Sequence, residues 1–300
     1  MRTALFLYII FIVASGYGYS QQLKGHYLGQ KPPGEKPEIF AEGIISLGTH
    51  ELDIAISPKG DEIFYVKSTP QYTIMQVKCV NGIWQAPAVA SFSGVDNDLS
   101  PRYSVDGSKL FFSSNRPVNG KNDFNIWYIE KAGEKWGELK NIGEPVNSPF
   151  HEMGATVAAN GNLYFQYFTN NGLKSDIYLS RFLNGKYQKP EKLSAGINSD
   201  NNEASPYISP DESFIMFHSD RPTGNMRMDL YISFADKKGN WGTPINLGPS
   251  INSPTKSEGG AYLTPDKKYL FFSTFEGPGK GYIYWVDGKI IEELRKMGKK

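Results

Sequence analysis

The chain has one cysteine, Cys79, in 300 residues. A single thiol cannot close an internal disulfide. Cys79 alternates with Met75 and Val77 and reads as a plain buried thiol. Histidine is scarce too, with four residues, and no metal-ligand spacing motif accompanies them. A formal net charge of +1 gives no reason to expect nucleic acid or an anionic membrane surface as a partner. No G-x-S-x-G nucleophile elbow occurs. Long apolar runs are confined to residues 4–14 (ALFLYIIFIVA), too few to span a bilayer.

That run has Arg2 ahead of it and Gly18-Tyr19-Ser20 behind it. It reads as an export signal over residues 1–20, with cleavage before Gln21. The mature chain is then expected outside the cytoplasm, periplasmic or secreted, with no membrane insertion after cleavage. An uncleaved anchor is the alternative. No cysteine near the cleavage point offers a lipid attachment.

What the chain has in abundance is a repeat. A turn recurs as Ser57-Pro58-Lys59-Gly60, Ser104-Val105-Asp106-Gly107, Ala158-Ala159-Asn160-Gly161, Ser209-Pro210-Asp211-Glu212 and Thr264-Pro265-Asp266-Lys267. The interval is roughly 50 residues, the length of one four-stranded propeller blade. An apolar and aromatic strand follows each turn: IFYV, LFFS, LYFQ, IMFH and LFFS. A third strand comes next, as in NIWYIE or DLYISFA. Aromatic and branched residues favour such pleated, half-buried surfaces, and Pro, Gly, Asp and Asn punctuate them.

A fourth strand is expected at Trp84-Gln-Ala-Pro, Trp136-Gly-Glu-Leu, Tyr187-Gln-Lys-Pro and Trp241-Gly-Thr-Pro. The fifth of the set, residues 40–47, stands ahead of the first repeat. The N-terminal strand is therefore expected to complete the last blade and remove the exposed edge. The expectation is an all-β, five-bladed propeller over residues 38–288, preceded by an extended linker at 21–37. Residues 289–300 place Ile290, Leu294 and Met297 at helical spacing, a short C-terminal helix packed on the last blade.

The repeats resemble the TolB-like (WD-repeat-like) propeller family of bacterial exported proteins. The resemblance rests on an acidic residue, S-P-D-G, an aromatic strand, S-x-R and D-I-Y. These stand as Glu203…Ser209-Pro210-Asp211…Ser219-Asp220-Arg221…Asp229-Leu230-Tyr231 and Asp98…Ser104-Val105-Asp106-Gly107…Ser114-Asn115-Arg116…Asn125-Ile126-Trp127. The resemblance implies a propeller fold and export; it does not name a ligand.

Six residues before every turn stands a carboxylate: Glu51, Asp98, Glu152, Glu203 and Glu258. They should ring one mouth of the central channel. In one reading they are blade-junction acceptors, taking backbone N–H bonds or pairing with Arg116 or Arg221. In the other they bind a ligand, since like charges around a channel repel unless something positive neutralises them. Oxygen donors suit a hard cation such as Ca²⁺, and His50 and His151 would add nitrogen ligands. No cofactor is otherwise expected. The loops between second and third strands rise at the same face and carry Arg116, Lys121, Arg221, Arg227, Tyr72 and Phe275. The functional expectation is a monomeric, non-catalytic binding or scaffolding module for a protein, peptide or glycan at this mouth. A glycosidase-like enzyme using paired carboxylates is the alternative.

Overall fold

In the computed structural model, residues 23–169, 172, 174–221 and 227–298 are described. The expected export signal lies outside them. Five antiparallel sheets follow one another along the chain. Their inner strands are Glu51–Ile56, Asp98–Tyr103, Glu152–Val157, Glu203–Ile208 and Ser257–Leu263. Each inner strand contacts the inner strand of the next blade, and the last contacts the first. The molecule is a closed five-bladed propeller.

Closure occurs through the N-terminus. Strand Glu38–Ile39 pairs antiparallel with the third strand of blade 5, Lys280–Asp287, placing Glu38 opposite Trp285. Its position corrects the expectation of a strand at 40–47. Those residues turn instead, and Phe40 holds the place that Ile142, Leu193 and Leu247 hold in blades 2, 3 and 4. Each donates its backbone N–H to the third strand: Phe40 to Ile283, Ile142 to Ile126, Leu193 to Ile177 and Leu247 to Leu230.

The same correction applies all round the ring. Trp84 and Trp136 open short hairpins with the third strand rather than forming the outer strand. The outer strands follow four residues later: Ala88–Val89, Lys140–Asn141, Glu191–Lys192 and Ile245–Asn246. Each has only two residues. They can be so short because side chains complete the ladder. Asn147 accepts from Ile126 N (2.9 Å) and donates to Ile126 O (3.0 Å). Asn198 does the same for Ile177 (2.7 and 2.9 Å) and Asn252 for Leu230 (2.8 and 3.0 Å). In blade 5 the Ser46 hydroxyl takes this place on Ile283, and in blade 1 Ser93 Oγ accepts from Ile74 N (3.0 Å). A carboxamide presents one donor and one acceptor, as a peptide group does.

Every inner strand also carries a bulge, with one residue in the left-handed region: Asp53 (φ 48°), Ser100 (54°), Gly154 (60°), Ser205 (45°) and Gly260 (62°). A bulge adds one residue and increases local bend, which turns these strands around the crowded axis. At Gly260 a Cβ would stand 2.6 Å from Asp53 Oδ1, so only glycine fits there.

Two terminal segments cover the face opposite the carboxylates. Leu28 is buried, Trp84 Nε1 donates to Gly25 O (2.7 Å), and Tyr27 Oη donates to Asp266 (3.2 Å). The helix Ile290–Met297 buries Ile291 and Leu294. It leaves blade 5 but reaches blade 4, where the Arg295 guanidinium lies 4.4 Å from the Phe234 ring centre. Cys79 is partly rather than fully buried.

Candidate functional site at the channel mouth

Glu51, Asp98, Glu152 and Glu203 are the first residues of their inner strands, and Glu258 is the second of its own. The five carboxylates therefore stand at the same level of the ring. All are buried, at 0–1% exposure. Their surroundings differ, and the difference divides them into three kinds.

Asp98 and Glu203 are held by arginine. Arg116 Nη2 donates to Asp98 Oδ1 at 2.7 Å, and Arg221 Nη2 donates to Glu203 Oε1 at 3.3 Å. Both arginines are built in alike. Arg116 Nε donates to Ser114 Oγ (2.8 Å), and its guanidinium lies between the rings of Phe112 and Trp127 at 5.4 and 5.3 Å. Arg221 Nε donates to Ser219 Oγ (3.3 Å), and its guanidinium lies 5.1 Å from both Phe217 and Tyr231. The S-x-R motif is thus a clamp: Ser orients Arg, aromatic faces sandwich it, and Arg neutralises the carboxylate.

Glu51 is held by its own loop, accepting from Leu47 N (3.0 Å), Gly48 N (3.1 Å) and Thr49 Oγ1 (2.5 Å). Glu152 and Glu258 have neither support in full. Glu152 Oε1 accepts from Ser148 Oγ at 2.5 Å, but Oε2 has no partner among the described residues. Both oxygens of Glu258 lack one among those residues. Burial pushes both carboxyls up to about 8, because removal from water disfavours the charged form.

The two histidines occupy the position just before a carboxylate. His151 Nδ1 accepts from Phe124 N (3.0 Å), as the Asn97 and Asn202 amides accept from Tyr72 N (3.2 Å) and Ser175 N (3.0 Å). His50 Nδ1 lies 3.0 Å from Ser68 Oγ, and burial pushes its imidazole below the ordinary value. Among the described residues, no group of three or more His, Cys, Asp or Glu side chains is placed to hold a metal ion.

The loops of this face carry exposed apolar side chains: Leu47, Val95, Phe150 and Phe275. Phe275 lies 4.9 Å from the His50 ring. Arg227 reaches Thr255 O across neighbouring loops. Residues 170, 171, 173 and 222–226 of these loops lie outside those described.

Further down the bore stands a cluster that the repeat pattern did not single out. Asp53 and Arg102 are both about 4% exposed, with Arg102 Nη2 3.9 Å from Asp53 Oδ1. Ser100 Oγ donates to Asp53 Oδ2 (2.9 Å), and Arg102 Nη1 donates to Ile54 O (3.1 Å). The Arg102 guanidinium lies 5.6 Å from the Tyr262 ring. His218, pushed down to about 4 by burial, packs against Gly259. The available signal was a charge inside a strand where other blades place small residues. These groups join blades 1, 2, 4 and 5.

No family model matches the chain, and no curated protein sequence matches it. Solved structures do. The endo-arabinase of Bacteroides thetaiotaomicron aligns with a TM-score of 0.56 at 14% identity, over 86% of this chain and 97% of that one. An arabinanase of Bacillus subtilis gives 0.51 at 12% identity, over 80% and 95%. TolB of Acinetobacter baumannii gives 0.47 at 19% identity over 79% of this chain, which spans about half the TolB chain, 54%. At these identities the likeness is one of fold. Among the described residues, no helix is long and apolar enough to cross a membrane.

Proposed function

We propose that this chain is an exported binding and scaffolding propeller that takes a protein, peptide or glycan at the carboxylate-bearing mouth. One observation carries the reading. The carboxylates are buried in the blade junctions, while Leu47, Val95, Phe150 and Phe275 stand exposed on the loops above them. Chemistry needs reachable charged groups; recognition uses exposed apolar anchors with polar surroundings. The test is a double variant, Phe150→Ala with Phe275→Ala, immobilised beside the wild type and exposed to envelope extract and a glycan panel. A ligand retained by wild type and lost from the variant supports the reading. Equal retention by both removes it. Export is tested by the N-terminal mass of the protein from its native host, expected to begin near Gln21.

A second reading, glycan hydrolysis, is favoured by Glu152 and Glu258. With both carboxyls pushed up to about 8, they are protonated at neutral pH, as a general acid must be. Two arabinan-degrading enzymes share the fold. Release of reducing sugar from arabinan by wild type, lost in Glu152→Gln or Glu258→Gln, would establish this reading in place of the first.

A further inference from the structure

The five grooves between blades, on the face away from the carboxylates, are not filled alike. Between blades 1 and 2, Trp136 lies 6.0 Å from both Phe64 and Tyr103, and its Nε1 donates to Glu62 (3.3 Å). Between blades 3 and 4, Trp241 meets Tyr164 edge-on at 6.4 Å. Between blades 4 and 5, where no such aromatic is available, the C-terminal helix lies over Phe214 and Phe234. Between blades 5 and 1, Tyr27 packs 4.9 Å from Tyr269 and 5.9 Å from Trp285. Each of these plugs is a segment of the chain itself.

In the groove between blades 2 and 3 the smaller Tyr187 takes that place, packed on the same cluster as Phe111 and Tyr128, and an open cavity of about 660 Å³ remains. Two differences in the repeat open it. Tyr187 stands where blades 1, 2 and 4 place Trp84, Trp136 and Trp241. Val157, opposite Leu163, stands where blade 2 places Tyr103 opposite Leu110. The floor is Phe111 and Tyr128, with ring centres 5.7 Å apart, and one wall is Phe182 tilted against Tyr187 at 4.9 Å. Glu144 and Lys186 lie at the rim. Its volume falls within the range of ligand pockets, about 300–1,000 Å³.

We propose that this groove is a second binding site, independent of the mouth, that takes an aromatic side chain, an indole above all, presented by a partner polypeptide. The chain itself shows what fits: the grooves on either side are closed by an indole set against the same kind of aromatic floor. A cationic side chain is disfavoured, because Lys109 and Lys140 already stand 5.3 and 5.8 Å from the Tyr128 ring and share Glu130.

The experiment titrates the intact chain into a fluorinated N-acetyltryptophanamide and follows fluorine NMR line width. Wild type is expected to broaden the signal. Tyr187→Trp, which restores the residue of the other blades, should weaken binding at least about tenfold and raise the melting temperature. Val157→Tyr should weaken it too, so the test survives if one variant does not fold. A diazirine-bearing tryptophanamide should label peptides containing Phe111, Tyr128 or Phe182. Absence of broadening by wild type, unchanged binding in either folded variant, labelling elsewhere, or retention of an arabino-oligosaccharide but not the indole would each overturn the proposal.

Discussion

Arg116 Nη2 meets Asp98 Oδ1 at 2.7 Å, with the carboxylate wholly enclosed and the arginine side chain 11% exposed. Blade 4 repeats the contact between Arg221 and Glu203. Blades 3 and 5 have the carboxylate but no such arginine. The ring at the mouth therefore combines two carboxylates clamped by arginine, one held by its own loop, and two, Glu152 and Glu258, whose carboxyls burial pushes up to about 8.

Glu203→Gln and Glu152→Gln should consequently behave differently. The first removes an acceptor that takes bonds from Arg221 and from the Ser199 N–H (3.0 Å) and hydroxyl (2.6 Å), a loss of about 1.5–3 kcal/mol for charge-assisted bonds. The second replaces a group already protonated at neutral pH, so the melting temperature should change little. Melts with and without EDTA separate this from an ion-binding ring. If the wild type loses stability sharply with EDTA while neither variant does, the ring holds a cation instead.

Stability should fall as pH rises through the neutral range. Glu152 and Glu258 move from 4.5 to about 8 on folding. A raised folded value means that the folded state binds the proton more tightly. The stabilisation is full below about 4.5 and lost as pH climbs towards 8, by at most about 1.4 kcal/mol per pH unit for each group. Denaturant titrations across this window should show the decline in wild type and a smaller one in Glu152→Gln and Glu258→Gln. A stability that rises over the same window would contradict it.

Asn198→Ala should destabilise blade 3 by about 1–3 kcal/mol, because the buried N–H of Ile177 loses its acceptor. Asn198→Ser should recover part of the loss, since Ser46 does this work in blade 5. Hydrogen exchange at Ile177 gives the local readout. Equal exchange in all three proteins would mean that the amide is not a ladder element.

Deleting residues 21–48 should open the ring between blades 5 and 1. The Glu38–Ile39 strand, Phe40 and Leu28 would all be lost, leaving the edge of Lys280–Asp287 unpaired. Exposed edges template association, so aggregation and a lower melting temperature are expected. A truncated chain that stays monomeric and equally heat-stable would show that closure contributes nothing.

The repeat alone determined the architecture. A turn, an aromatic strand and a carboxylate recurring five times in fixed order imply five equivalent sheets, and a spare segment ahead of the first implies closure through the N-terminus. Local pattern suffices for this, because alternation and turn residues act over a few positions. Register was beyond it. Trp84, Trp136, Tyr187 and Trp241 are the loudest residues of the outer region, yet the ladder is completed four residues later and by Asn147, Asn198 and Asn252. Tertiary structure alone decided that burial pushes the Glu152 and Glu258 carboxyls up, that Asp53 and Arg102 meet in the bore, and that the groove between blades 2 and 3 keeps a cavity. The last two depend on groups roughly 50 residues apart, brought together only when the ring closes, and the first on burial that local sequence does not reveal.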